Sequence, residues 1–120
     1  MPREIGSVNS SRECCLVIRF ENGETHECIL DTGFNGALFL PRGLVEQLGL
    51  PILGREAVGW VNESEEDMDI SLARIEWLGA HREVEVIVGE GDDALIGTEL
   101  LDGARVLLDF VARTISIETS

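Results

Sequence analysis

Short runs of apolar residues alternate with polar ones along most of this chain, the period of half-buried strands rather than helices. "CCLVIRF" (14–20) and "THECIL" (25–30) flank "ENGE" (21–24), where Asn22 and Gly23 predict a two-residue hairpin turn. That turn sets Cys28 opposite Val17, with Cys15 on the same face but diagonally offset. "ALFL" (37–40) predicts another short strand. In "PRGLVEQLGLP" the spacing changes: Leu44, Val45 and Leu48 share one helical face, Pro41 suits the first helical position, Gly49 the stop, and Pro51 lies beyond.

Residues 55–62 and 67–77 predict a second hairpin around the acidic turn "ESEED". Its second arm alternates through Met68, Ile70 and Leu72, then through Ala73, Ile75 and Trp77. The change of phase predicts a β-bulge between Leu72 and Ala73. "REVEVIV" (82–88), "ALIG" (94–97), "RVLLDF" and "TISIE" complete the strands. Between them Thr98 is placed to cap a short helix, "ELLD", that stops at Gly103. Trp60 and Trp77 read as core or interface anchors. The fold class is all-β with two short helices, in a single domain spanning 1–120, of which 1–13 reads as a flexible N-terminal segment.

Composition narrows the function classes. A chain of 120 residues with 44% hydrophobic content can build one real core. Its apolar runs reach about five residues, as in "CCLVI", against the ~20 of a membrane helix. The start "MPREIGSVNS" lacks the basic and apolar regions of a secretion signal, so a soluble, cytoplasmic protein is expected. Net charge is −14, and all 9 basic residues are Arg. Such a surface repels phosphate backbones and anionic lipids, which excludes nucleic acid and membrane as expected partners. Three cysteines, Cys14, Cys15 and Cys28, are an odd number without a secretory context and read as structural thiols. His26 and His81 are the only histidines, and no metal-ligand spacing accompanies them, so neither metal nor cofactor is expected.

The candidate chemistry lies in "CILDTGFNGALFLP" (28–41). An apolar strand runs directly into Asp31, although an unpaired buried carboxylate costs several kcal/mol. Either Asp31 is an ordinary turn residue, or its placement serves a reaction.

Taken together, "ILDTG…ALFLP…ALIGTELL" resembles the retropepsin-like aspartic proteases, more narrowly their small single-domain bacterial and archaeal members. The resemblance runs from about residue 14 to the C-terminus. It implies an acid-protease barrel with one active-site Asp per protomer, and a homodimer that hydrolyses peptide bonds in peptides or unfolded proteins. Asp31 is then the catalytic residue, and Thr32 and Gly33 complete its loop, with Thr32 hydrogen-bonding across the two-fold axis. Gly33, Phe34, Val61 and Asn62 are the substrate-binding candidates, the last two from a flap hairpin around "WVNESEEDMD". Its acidic tip is expected to disfavour acidic peptides. "TISIE", with the N-terminal segment, is the candidate dimer sheet, and Gly97 is placed beside the catalytic loop. Two features depart from the pattern: Phe34 stands where Ala or Ser is usual, able to fill or reshape the cleft, and the flap tip has no Gly. The alternative is a dimeric binding or scaffold module of the same fold without turnover. A third reading is an unrelated small β domain in which the tripeptide is coincidence.

Overall fold

The alternating segments form strands, and the strands close on themselves. The structure, a computed structural model, describes residues 2–59 and 64–119. Its strands are β1 (Arg3–Val8), β2 (Cys14–Phe20), β3 (Thr25–Leu30), β4 (Leu38–Pro41), β5 (Gly54–Gly59), β6 (Glu65–Trp77), β7 (Ala80–Gly89), β8 (Leu95–Ile96), β9 (Arg105–Asp109) and β10 (Thr114–Glu118). They form one sheet in the order β5-β6-β7-β4-β8-β3-β2-β1-β10-β9. β2 also pairs with β6, through Arg19↔Glu76 and Phe20↔Ile75, which closes β6, β7, β4, β8, β3 and β2 into a barrel. The β3–β8 and β4–β7 pairs are parallel. Leu16, Ile18, Leu38, Leu40, Ile75, Val86 and Ile96 fill the interior. Trp77 joins them, fully buried, and its Nε1–H donates to the Leu100 carbonyl at 2.9 Å. It is a core anchor; Trp60 lies outside the described residues.

The first hairpin forms where expected but in a different register. Gly23 adopts φ +90° and its N–H donates to the Phe20 carbonyl at 2.9 Å, while Phe20 N–H donates to the Glu24 carbonyl at 2.8 Å. The loop therefore holds three residues, a type I turn followed by a left-handed glycine, not two. The extra residue shifts the pairing by one, so Cys28 faces Leu16 and Val17 faces Glu27. A one-residue shift also moves side chains to the other face. Cys28 thus points into the core, and Cys15 lies on the opposite side of the sheet. All three cysteines are free thiols.

β6 needs no bulge. Its register with β7 is unbroken from Ile70↔Ile87 to Trp77↔Ala80, and with β5 from Gly54↔Ile70 to Gly59↔Glu65. The phase change arises because one long strand serves two apolar clusters. Met68 and Ile70 pack with Phe34 and Ile87, whereas Ala73, Ile75 and Trp77 enter the barrel core.

Helix α1 spans Arg42–Gln47, with Pro41 as its N-cap rather than its first residue, and Leu44 and Val45 buried. Gly49 takes φ +69° just beyond it. The second helix is a single 3-10 turn over Thr98–Leu100, and its cap position is Gly97, not Thr98. Arg42 binds Glu90 and Asp69, at 2.6 and 2.8 Å, which ties the start of α1 to β6 and the end of β7. That guanidinium holds the Glu90 carboxyl below the usual carboxylate range.

The N-terminal segment, expected to be flexible, contains β1, which pairs with both β10 and β2. What hides it in the sequence is Glu4, a charged residue that is buried. Its carboxylate accepts from Arg19 Nη2 at 2.9 and 3.2 Å and from Leu78 N–H at 2.9 Å, so the cost of desolvation is met by three donated hydrogen bonds. β10, the "TISIE" strand, has β1 on one side and β9 on the other. Both its edges are occupied within the chain, which leaves it no free edge for a dimer sheet.

Candidate active site

β3 delivers Asp31 to its position. Its last residues pair in parallel with β8 through Ile29↔Leu95 and Leu30↔Ile96. Asp31 N–H extends that ladder by one bond, to the Ile96 carbonyl at 2.9 Å. The chain then turns: Phe34 N–H donates to the Asp31 carbonyl at 3.1 Å, and Gly33 N–H donates to Asp31 Oδ1 at 2.8 Å. The second bond makes an Asx-turn, which fixes the plane of the carboxylate. Asp31 is half-buried, and Thr32 and Gly33 are exposed.

The loop is stitched to the segment after β8. Gly97 N–H donates to the Ala37 carbonyl, Thr98 N–H to that of Phe34 and Glu99 N–H to that of Gly36, at 2.9, 2.9 and 3.2 Å. Gly97 therefore lies beside the Asp31 loop. Phe34 turns inward: it is 6% exposed and packs with Ile70 and Ile87. Its ring also meets Phe39 edge-on, with centroids 6.1 Å apart. Two glycines make the room. A Cβ at Gly36 would lie 2.7 Å from the Phe34 ring, and one at Gly97 would lie 2.7 Å from that ring and collide with the Gly36 carbonyl oxygen.

Phe34 thus floors the cleft rather than blocking it. A cavity of about 330 Å³ remains, lined by residues 33–36 of the loop, residues 56–59 of β5, and Ile87. Of the substrate-binding candidates, Gly33 and Phe34 line this cavity, and Val61 and Asn62 lie outside the described residues. The β5–β6 hairpin stands on the far wall, with Val58 packed against the Phe34 cluster. Glu56, Ala57 and Val58 were not singled out in the sequence. No motif marks them, and only the strand pairing brings β5 to the cleft.

A second hollow, of about 450 Å³, adjoins along β5 and shares Glu56; Ile70, Leu72 and Glu85 also line it. Glu85 is exposed, but desolvation at the floor of the hollow, then the charges of Glu56 and Glu99, push its carboxyl above the ordinary range. A carboxyl whose pKa is raised on folding favours the fold at acid pH, and that contribution disappears as pH rises through the raised value. Glu85→Gln is therefore expected to raise the melting temperature by about 2 °C at pH 7, with no gain near about pH 3, as read by thermal denaturation at the two pH values.

Solved structures share this architecture. The chain is similar to a retropepsin-like aspartic protease from Rickettsia conorii, at 16% identity over 98% of this chain and 90% of that one, with TM-score 0.71. It is similar to the EIAV protease in complex with the inhibitor HBY-793, at 18% identity over 83% and 97% of the two chains, with TM-score 0.67. The simian foamy virus (mac) protease matches at 15% identity over 73% and 91%, with TM-score 0.54. No protein-family model and no curated protein matches the sequence. On barrel closure and on these likenesses, the fold of this chain is the retropepsin-like aspartic protease fold.

Proposed function

We propose that the chain is one half of a homodimeric aspartic endopeptidase that cleaves peptides or unfolded proteins, with Asp31 of each protomer forming the catalytic pair. One observation carries the reading: a retropepsin-like fold presents a single Asp-Thr-Gly loop, its carboxylate oriented by Gly33 N–H, beside a cleft edged by β5. One chain contributes only one such Asp, so the chemistry requires a second copy across a two-fold axis. Two carboxyls about 3 Å apart cannot both ionise, and they titrate as a unit. The ionised member takes a proton from a water between them, and that water attacks the peptide carbonyl. The protonated member donates a hydrogen bond to the carbonyl oxygen as charge develops there.

The substrate class follows from the cleft. Among the described residues β5 is a sheet edge, paired only with β6, so an extended peptide can add to it by main-chain hydrogen bonds. Glu56 in the cavity, Glu85 in the adjoining hollow and the exposed Glu65, Glu66 and Asp67 of the hairpin favour basic over acidic peptides. Free thiols fit a cytoplasmic setting. Burial raises the Cys28 thiol to about 12, which keeps it unreactive. Among the described residues no helix is long and apolar enough to cross a membrane.

The test is cleavage of an unfolded protein between about pH 3 and pH 7, at a series of enzyme concentrations. Specific activity is expected to climb with concentration and to follow the dimer fraction measured by sedimentation. A wild-type dimer that cuts nothing across that range is the scaffold module instead.

A further inference from the structure

Another hollow, of about 300 Å³, lies between the β2–β3 turn, β6 and the chain that leaves α1. Phe20, Leu48 and Leu50 give it an apolar wall, and Glu21, Asn22 and Arg74 complete its lining. None of these residues lines the cleft cavity or the hollow beside it, and the peptidase reading makes no use of them. We propose that this hollow binds a free apolar α-amino acid, of the size of leucine, in its zwitterionic form.

The walls are fixed by backbone bonds. Glu21 N–H donates to the Arg74 carbonyl at 3.0 Å, which joins the turn to β6. Leu48 and Leu50 N–H donate to the Leu44 and Val45 carbonyls, at 2.9 and 3.0 Å, which fixes the chain leaving α1. Both leucines pack against the barrel core and remain half-buried. An apolar ligand would remove the rest of their surface from water. The volume stands at the lower end of the range for small-molecule sites, which suits one amino acid better than a longer peptide.

Charge selects the ligand. Arg74 Nε and Glu21 Oε2 lie 3.1 Å apart, with side chains 50% and 61% exposed, and neither makes another ion pair among the described residues. A pair so exposed is held together weakly. Asn22 adds a donor: its amide oxygen accepts from Glu24 N–H at 3.0 Å, which leaves the NH2 group for a ligand. A bare carboxylate is repelled by Glu21, and a bare ammonium by Arg74. A molecule with both charges side by side satisfies both. Its carboxylate accepts from Arg74 and Asn22, and its ammonium donates to Glu21. In a peptide the two termini stand at opposite ends. A free α-amino acid carries both on one carbon, and an apolar side chain on that carbon covers Phe20, Leu48 and Leu50.

The test is titration of the full chain with L-leucine, followed by calorimetry and by the backbone amide NMR signals of Asn22, Leu48 and Leu50. Binding is expected with a dissociation constant of about 1 mM. Glycine, N-acetyl-leucine and leucinamide lack the side chain, the ammonium and the free carboxylate respectively, and each is expected to bind at least about tenfold more weakly. Arg74→Gln and Glu21→Gln are each expected to weaken L-leucine about tenfold. Each also shifts the preference. Glu21→Gln removes the repulsion of a bare carboxylate, so N-acetyl-leucine binds more tightly than to the wild type, and Arg74→Gln does the same for leucinamide. Both side chains are exposed, so both variants are expected to melt within about 2 °C of the wild type. Signals that do not move with L-leucine, or equal binding of L-leucine, N-acetyl-leucine and leucinamide, overturn the inference. A wild-type preference for N-acetyl-leucine or for leucinamide also overturns it, in favour of a simple anion or a simple amine. The readout is binding alone, so it stands or falls separately from peptide cleavage.

Discussion

Asp31→Asn is expected to lower peptide cleavage by at least about 10³-fold while leaving the fold and the dimer intact. Asparagine keeps the shape of the side chain, and its amide oxygen can accept the Gly33 N–H bond that Asp31 Oδ1 accepts at 2.8 Å. What it lacks is a proton to share. The measurement is turnover of one peptide by both proteins at equal dimer fraction, with thermal denaturation as the control for folding. A mixing experiment carries the argument further. If each active centre needs Asp31 from two chains, an equal mixture of wild type and variant has only about a quarter of its dimers competent, whereas chains that act independently would keep about half. Activity near one half, or an active Asp31→Asn homodimer, would remove Asp31 from the role proposed for it.

Gly97→Ala is expected to have the largest effect on stability. Its Cβ would collide with the Gly36 carbonyl oxygen and lie 2.7 Å from both the Phe34 carbonyl oxygen and the Phe34 ring. Two of these neighbours are backbone atoms, held by the bonds from Thr98 to Phe34 and from Glu99 to Gly36. They cannot swing aside as the end of a side chain can. Relief requires separating the Asp31 loop from the segment that braces it, at a cost of about 3 kcal/mol, or about 12 °C in melting temperature for a domain of this size. Gly43→Ala is the matching control. Gly43 lies in α1, where an added methyl group would meet nothing within 4 Å, so alanine there is expected to raise the melting temperature by about 2 °C. Equal melting temperatures for the two variants would refute the steric account of the loop.

The parts of this fold that were legible in the sequence are those governed by local pattern. The Asn22-Gly23 hairpin, the apolar run into Asp31, the α1 stop at Gly49 and the terminal strands β9 and β10 follow from alternation and turn chemistry. The misreadings have long-range causes. The β2–β3 register depends on Asn22: a two-residue type I′ turn needs positive φ at both Asn22 and Gly23, whereas here only Gly23 takes it and the loop closes over three residues. The bulge expected in β6 assumed that a strand has one apolar partner, whereas this one leaves the Phe34 cluster and enters the barrel core along its length. β1 was hidden because a glutamate looks exposed until Arg19 and Leu78, distant in sequence, are placed around it. At the candidate site, Asp31, Gly33 and Gly97 belong to the "ILDTG" and "ALIG" stretches that carry the family resemblance. Glu56, Ala57 and Val58 do not, because a cleft wall supplied by strand pairing leaves no local signature.

Phe34, Gly36 and Gly97 behave as one steric lock spread over distant positions of the chain. A smaller residue at 34 would open a void that a side chain at 36 can then fill, while a larger residue at 36 needs 34 reduced first; Gly97 has no such freedom, because the Gly36 and Phe34 carbonyl oxygens also stand against it. Laboratory selection for a reshaped cleft should therefore stall at single changes and advance only through paired ones, so libraries that vary codons 34 and 36 together, with glycine kept at 97, are the ones able to find it.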